Sequence, residues 1–192
     1  VSRCLRGGYD AVSALAPWTG GRLGVIMMSA LGDAIHVLPL LDAIKKKAAT
    51  THVTWILQPA AAQLVQGHPH VDDVVLFHRD RGLAAYPEVR RQLATRPFDL
   101  VMALQVYFKA GIVTAFTRSP IKLGFDRARA RDLNWLFTTH RIPPHPPQHV
   151  QDQYFEFLDA MGYRSASRTG TSRRPPRSAP RPPRCSMPGR GR

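Results

Sequence analysis

The apolar positions of this chain fall into a repeated two-beat pattern. A short, nearly unbroken hydrophobic run is followed by a stretch with apolar residues at every third or fourth place. Leu23, Val25, Ile26, Met27 and Met28 make the first run, as expected of a strand covered on both faces of a parallel sheet. Over about 33–48, Ile35, Leu38, Leu41 and Ile44 return at helical spacing, and Lys45, Lys46 and Lys47 suit a helix C-terminus. Pro39 predicts a local kink or a tight first turn. Further strands are expected at 52–57, 73–77, 98–104 and 121–125. Helices are expected at 60–66, between Pro59 and Gly67, at 83–95 with Pro87 in the first turn, and at 107–116. A short helical turn at 132–137 and a last helix at 150–161, closed by Gly162, complete the set. The run Pro143-Pro144-His145-Pro146-Pro147 must be extended. Strands and helices alternating at this rhythm predict an α/β fold, a doubly wound parallel sheet of Rossmann-like type.

Composition divides the chain of 192 residues into three. Residues 1–21, with Gly7-Gly8, Pro17 and Gly20-Gly21, show no period and are expected to be a poorly ordered extension. Residues 22–163 carry the pattern and are long enough for one cored domain. Residues 164–192 hold nine arginines and no acid among Pro, Ser and Gly, so a disordered tail is expected. The tail accounts for most of the net charge of +14; upstream, 18 basic residues face all 13 acids. Cys4 and Cys185 form neither a disulfide framework nor a zinc motif. No apolar run approaches the roughly 20 residues that cross a bilayer, and Arg3, Arg6 and Asp10 interrupt any signal-peptide core. A cytoplasmic protein is expected.

The chemistry concentrates after the first strand, in Ser29-Ala-Leu-Gly32-Asp33. This loop is neither Gly-x-Gly-x-x-Gly nor a Walker sequence, which argues against a standard dinucleotide or P-loop site. Asp33 stands where a helix begins. Unpaired backbone N–H groups there favour a carboxylate, so Asp33 is either a cap or a working acid. His140, His145 and His149 are separated by prolines that spoil a one-face metal geometry, and no metal site is expected. Trp55, Trp135 and Tyr107 read as core, and Lys45–Lys47, Arg79 and Arg81 as solvated surface charge.

Several motifs together resemble one family. Ser-x-Leu-Gly-Asp-x-Ile-His-x-Leu-Pro, over 29–39, is similar to the opening loop and helix of the lipopolysaccharide heptosyltransferases of glycosyltransferase family 9. Thr54-Trp-Ile-Leu-Gln-Pro59 and Gly67-His-Pro-His-Val-Asp72 resemble the family's second strand and the turn after it. Phe98-Asp-Leu-Val-Met-Ala-Leu-Gln105 with Lys109 resembles its Tyr-Asp-x-Val-x-Asp-x-Gln-Gly-x-x-Lys segment. Lys122-x-Gly-Phe-Asp126 and Ala130-Arg131-Asp132 resemble the loop carrying Ala-Arg-Glu, and 149–162 the helix beyond it. The Leu-Gly-Asp form is nearer to heptosyltransferase I than to II. Two departures stand out: Ala103-Leu-Gln-Val106 lacks the acid and the glycine of the family's Asp-x-Gln-Gly, and Gln58-Pro59 replaces Glu-Pro.

The resemblance implies the N-terminal, acceptor-side domain of a GT-B glycosyltransferase. It implies ADP-heptose as donor, with no cofactor, and phosphorylated Kdo–lipid A as acceptor at the inner membrane face. Asp33 would be the general base. Ser29, Gly32, Lys109 and Arg131 would bind substrate, the last two as cations suited to phosphate or carboxylate. The family pattern is expected to stop near Tyr163, where the Arg/Pro tail replaces a donor domain; a frameshifted or truncated gene would produce that break. Two other readings remain: another sugar-nucleotide glycosyltransferase of this architecture, or a basic module whose tail holds nucleic acid or anionic lipid non-specifically.

Overall fold

In the computed structural model, residues 15–163 are described. They form six parallel strands: β1 (Gly21–Ile26), β2 (Thr51–Leu57), β3 (Asp73–Leu76), β4 (Leu100–Ala103), β5 (Ile121–Gly124) and β6 (His140–Arg141). The sheet order is β3-β2-β1-β4-β5-β6, and every pairing is parallel, with Leu23 between Val53 and Leu100 and Ile26 between Ile56 and Ala103. Five α-helices pack on the sheet: α1 (Leu31–Lys47), α2 (Pro59–Val65), α3 (Ala85–Ala94), α4 (Phe108–Phe116) and α5 (Val150–Ala160).

The period of two in the strands assigns the faces. Leu23, Val25 and Met27, with Val53, Trp55, Leu57, Leu100 and Met102, meet α1, α2 and α5. Ile26 and Met28, with Ile56 and Val101, meet α3 and α4. Trp55 is fully buried, and its indole N–H donates to the carbonyl of Met27 at 3.2 Å. Both faces are therefore covered, as the continuous apolar runs require.

The structure refines several element bounds. β1 begins at Gly21, and Met27 and Met28 lie in the buried turn beyond it. The helix expected at 83–95 divides into a 3-10 turn (Arg79–Ala84) and α3, with Pro87 in the first turn of α3. A second 3-10 turn covers Asn134–Phe137. β6 escaped the pattern because two residues carry no period. Pro39 sits inside α1 on its exposed side, where the Ile35 carbonyl that would bond its missing N–H can meet water.

Residues 15–20 lie on the body rather than standing apart from it. The Trp18 indole donates to Thr51 Oγ1 at 3.0 Å, its backbone N–H donates to the Met161 carbonyl at 3.0 Å, and the Tyr163 hydroxyl donates to the Trp18 carbonyl. The segment straps the start of β1 to the end of α5. The expected ends of the chain, 1–14 and 164–192, lie outside the described residues. Lys45 also departs from its reading: its ammonium pairs with Asp72 at 2.7 Å and is only 15% exposed.

Candidate active site

The sheet order reverses between β1 and β4, and beyond the carboxyl ends of these strands the connections diverge and leave a crevice. Gln105 ties the two connections together. Its carbonyl oxygen accepts the Met28 N–H at 3.1 Å, and its amide donates to Ser29 O at 3.0 Å and Ser29 Oγ at 3.1 Å. A buried amide with both ends satisfied fixes the backbone around it. The β1 loop is further pinned by the Gln58 N–H donating to the Met28 carbonyl at 3.0 Å.

Asp33 follows in the first turn of α1. The N–H of Ala30, the N-cap residue, donates to Asp33 Oδ2 at 3.2 Å, so the carboxylate does take part in capping. It also lines a cavity of about 440 Å³ whose other walls include Gln105, Tyr107, Arg129, Arg131, Gln153 and Tyr154. Tyr154 comes from α5, which packs along α1. Burial, and then the charge of Asp33, push its phenol well above the ordinary range, so it stays protonated as a donor.

The opposite wall is the loop after β5. Asp126 shapes it, its Oδ1 accepting the Ala128 N–H at 2.9 Å and the Arg129 N–H at 3.3 Å. The Arg129 side chain is clamped: Nε donates to Asp126, Nη1 and Nη2 to Glu156 at 3.1 and 2.8 Å, and Nη2 also to the Pro143 carbonyl at 2.9 Å. Burial opposes the charge on Arg129, but the bonds to Glu156 and Asp126 outweigh it and raise the guanidinium's pKa. The Arg131 N–H donates to the Val106 carbonyl at 2.9 Å, and the Asn134 amide donates to the Tyr107 carbonyl at 2.7 Å. Two residues of this loop, Asp132 (φ 50°) and Leu133 (φ 61°), hold left-handed backbone without being glycine.

The residues expected to act together are divided between two adjoining cavities. Asp33 and Arg131 line the one just described. Ser29 and Lys109 line its neighbour, of about 390 Å³, with Met28, Gln58, Phe77, Arg79 and Phe108 among its walls. Gln105 and Tyr107 line both. Gly32 lines neither; it is exposed, and a Cβ there would meet nothing within 4 Å, so no close approach demands a glycine. Arg79, read as surface charge, lies in the second cavity, whereas Arg81 pairs with Glu88 at 2.8 Å. Tyr107 is not core: it is 47% exposed at the rim between the cavities. Trp135 is half-buried, with Arg127 and Arg141 over its ring at 4.2 and 5.4 Å. His149 caps α5, accepting the Gln151 N–H at 3.3 Å. Among the described residues no three His, Cys, Asp or Glu side chains gather as a metal site.

Sequence reasoning missed Tyr154, Arg129 and Glu156. The one available signal was Glu156, an acid within the apolar face of the last helix, which needs a buried partner.

A doubly wound sheet with its crevice at the switch point is the N-terminal half of the GT-B architecture, and solved heptosyltransferases share it. Escherichia coli heptosyltransferase WaaC with ADP-2-deoxy-2-fluoro heptose matches with a TM-score of 0.67 at 24% identity, over 74% of this chain and 49% of that one. A glycosyl transferase family 9 protein from Veillonella parvula gives 0.68 at 22%, over 79% and 44%. In sequence the chain is similar to lipopolysaccharide heptosyltransferases. The profile of glycosyltransferase family 9 (heptosyltransferase) matches residues 87–175. The lipopolysaccharide core heptosyltransferase OpsX of Haemophilus influenzae is 27% identical over 73% of this chain and 40% of its own length. Lipopolysaccharide heptosyltransferase 1 of Salmonella typhimurium is 25% identical over 74% and 48%. The chain thus spans under half the length of these two curated relatives.

Proposed function

We propose that this chain is the acceptor-side part of an inverting glycosyltransferase of lipopolysaccharide core biosynthesis, one that moves heptose from ADP-heptose to phosphorylated Kdo–lipid A. The observation that carries the reading is Asp33 beside Arg131 in one cavity at the switch point, in a chain similar to heptosyltransferases. Asp33 takes the proton from the acceptor hydroxyl as that oxygen attacks the anomeric carbon, and ADP leaves from the opposite face. Arg131 holds an acidic group of the acceptor. Ser29 and Lys109 extend the acceptor site into the neighbouring cavity, and Tyr154 donates a hydrogen bond toward the reacting oxygens. The donor is a substrate carried by a second domain across the cleft, and no cofactor takes part. On this reading the acceptor-side part does not catalyse transfer alone. It works in the cytoplasm against the inner membrane; no described helix is long and apolar enough to cross one.

The test pairs the chain with the donor domain of a heptosyltransferase. Joined to that domain, the protein should release ADP from ADP-heptose when given Kdo–lipid A. Asp33→Asn should lower kcat by about 10²–10⁴-fold with little change in KM for the donor. An Asp33→Asn enzyme of full activity would sink the assignment. Calorimetry on the present chain should show only weak heat from ADP-heptose, and tight binding would contradict the half-enzyme reading.

A further inference from the structure

Four large apolar side chains stand exposed beside the second cavity: Tyr107, Phe108, Leu133 and Leu136, at 47, 42, 55 and 56%. They belong to one packed unit. The Phe108 and Phe137 rings meet edge to face at 5.5 Å. The absent side chain of Gly111 admits Phe137 against α4, for a Cβ there would fall 2.2 Å from the ring. Leu133 is the N-cap of the 3-10 turn that holds Leu136, and the Leu136 N–H donates to the Leu133 carbonyl at 3.0 Å. Both leucines stand exposed at this one turn. Leu133 stands there on left-handed backbone that an L side chain rarely adopts, with more than half of the residue in solvent.

Cations flank the aromatic rings of this unit. Arg127 and Arg141 lie over Trp135, the Arg131 guanidinium is 5.9 Å from the Tyr107 ring, and Lys109 begins α4 beside Phe108. Arg129 is taken up by Asp126 and Glu156, and Arg118 and Lys122 bond the Ala94 and Ala115 carbonyls, so the arginines of this face are Arg127, Arg131 and Arg141. Protruding leucines beside arginines and interfacial aromatics fit the boundary between hydrocarbon and anionic headgroups, where each group finds its own solvent.

We propose that this face docks on an anionic lipid bilayer, with Leu133 and Leu136 entering the acyl layer. Charge complementarity argues for lipid as occupant. So does position: Tyr107, Phe108, Lys109 and Asp132 also line the second cavity, which opens beside the docked face. The inference names the surface that the membrane-facing part of the proposed function requires, and rests on that reading only for what the cavity receives.

The test uses the full chain with vesicles of phosphatidylcholine, alone or with about one third phosphatidylglycerol. The arginines after residue 163 also attract anionic vesicles, but that attraction fades with salt. Insertion is read from the fraction still bound at high salt and from quenching of tryptophan fluorescence by brominated acyl chains. Trp135 lies in the patch, Trp55 is buried in the core, and Trp18 straps the opposite end of the sheet. The wild-type chain should be quenched, and Trp135→Phe should remove the quenching. Leu133→Ser with Leu136→Ser should cut salt-resistant partitioning tenfold or more, while melting and low-salt binding stay as they were. Unquenched Trp135, or a double variant that partitions like wild type, overturns the proposal. So does a double variant that changes only the oligomeric state in light scattering, which would make the patch a self-association face. In the enzyme completed with its donor domain, the double variant should still serve an acceptor without acyl chains, which Asp33→Asn should not. Failure of docking and failure of the transferase reading are thereby separate results.

Discussion

Asp33 shows at the scale of one residue why a cap and the proposed base need not compete. A carboxylate offers about four lone-pair sites, and the Ala30 N–H occupies one of them, leaving the group free to take a proton from the cavity it lines. The two roles separate by substitution. Asn at 33 keeps an oxygen for the Ala30 N–H, so Asp33→Asn should melt close to wild type. Asp33→Ala should lose about 1 kcal/mol, as removed caps do, measured by urea titration. Tyr154 reports on the same charge. Because Asp33 helps raise its pKa, Asp33→Asn should move tyrosinate formation to lower pH, read from absorbance in an alkaline titration of wild type, the variant and Tyr154→Phe. An unchanged Tyr154 titration would mean that the two groups are not neighbours in solution. Asp33 was legible in the sequence because its loop is local: strand, turn and helix start within ten residues. Tyr154 was not, since it reaches the cavity from a helix about 120 residues on and nothing near it in sequence marks it.

At the scale of elements, the site depends on how the loop after β5 is braced against α5. Arg129 joins the loop to Glu156 on the helix and to the Pro143 carbonyl on the proline-rich connection, with little of either charged side chain in water. Removing Glu156 leaves the desolvated Arg129 guanidinium with Asp126 as its one carboxylate partner. Glu156→Ala should therefore cost about 1.5–3 kcal/mol in a urea unfolding titration, and Arg129→Met combined with it should cost less than the sum of the two single changes. A double variant as unstable as the sum of the singles would show that the pair does not act as a unit. The five helices and the first five strands were legible in outline because each carries its own period over several residues. The brace was not. Its partners are 27 residues apart, as are Asn134 and Tyr107, and only the folded sheet brings β5, α4 and α5 to one end. The same distance hid the division of the expected site, since Gln105 and Tyr107 act as a partition only where β4 ends beside β1.

Over the whole molecule, charge pairs at the opposite, amino end of the sheet fasten the frame and leave the carboxyl end for chemistry. Asp72 accepts both the Lys45 ammonium and the Val53 N–H, each at 2.7 Å. Burial pushes its carboxyl up, but these two bonds outweigh burial and hold it below the ordinary 3.8. Asp73 meets His52 at 3.1 Å and Arg96 at 2.9 Å, and the bond from His52, aided by Arg96, holds it below 3.8 as well. Both carboxyls bind protons less readily folded than unfolded, so in the window between the folded values and the unfolded value near 4 the unfolded chain carries more protons. Stability supplied by these two groups is complete above that window and disappears as pH falls through it. Urea midpoints measured from pH 6 downward should stay level until about pH 4.5 and then decline. Asp72→Asn with Asp73→Asn should begin lower and decline less, because the variant has less to lose on acidification. Both carboxylates are partly exposed, so the gap at neutral pH should be about 1–2 kcal/mol rather than the cost of a buried pair. Parallel curves for the two proteins would show that the acid limb arises elsewhere in the molecule and that α1 is not tied to the β2–β3 edge through Asp72.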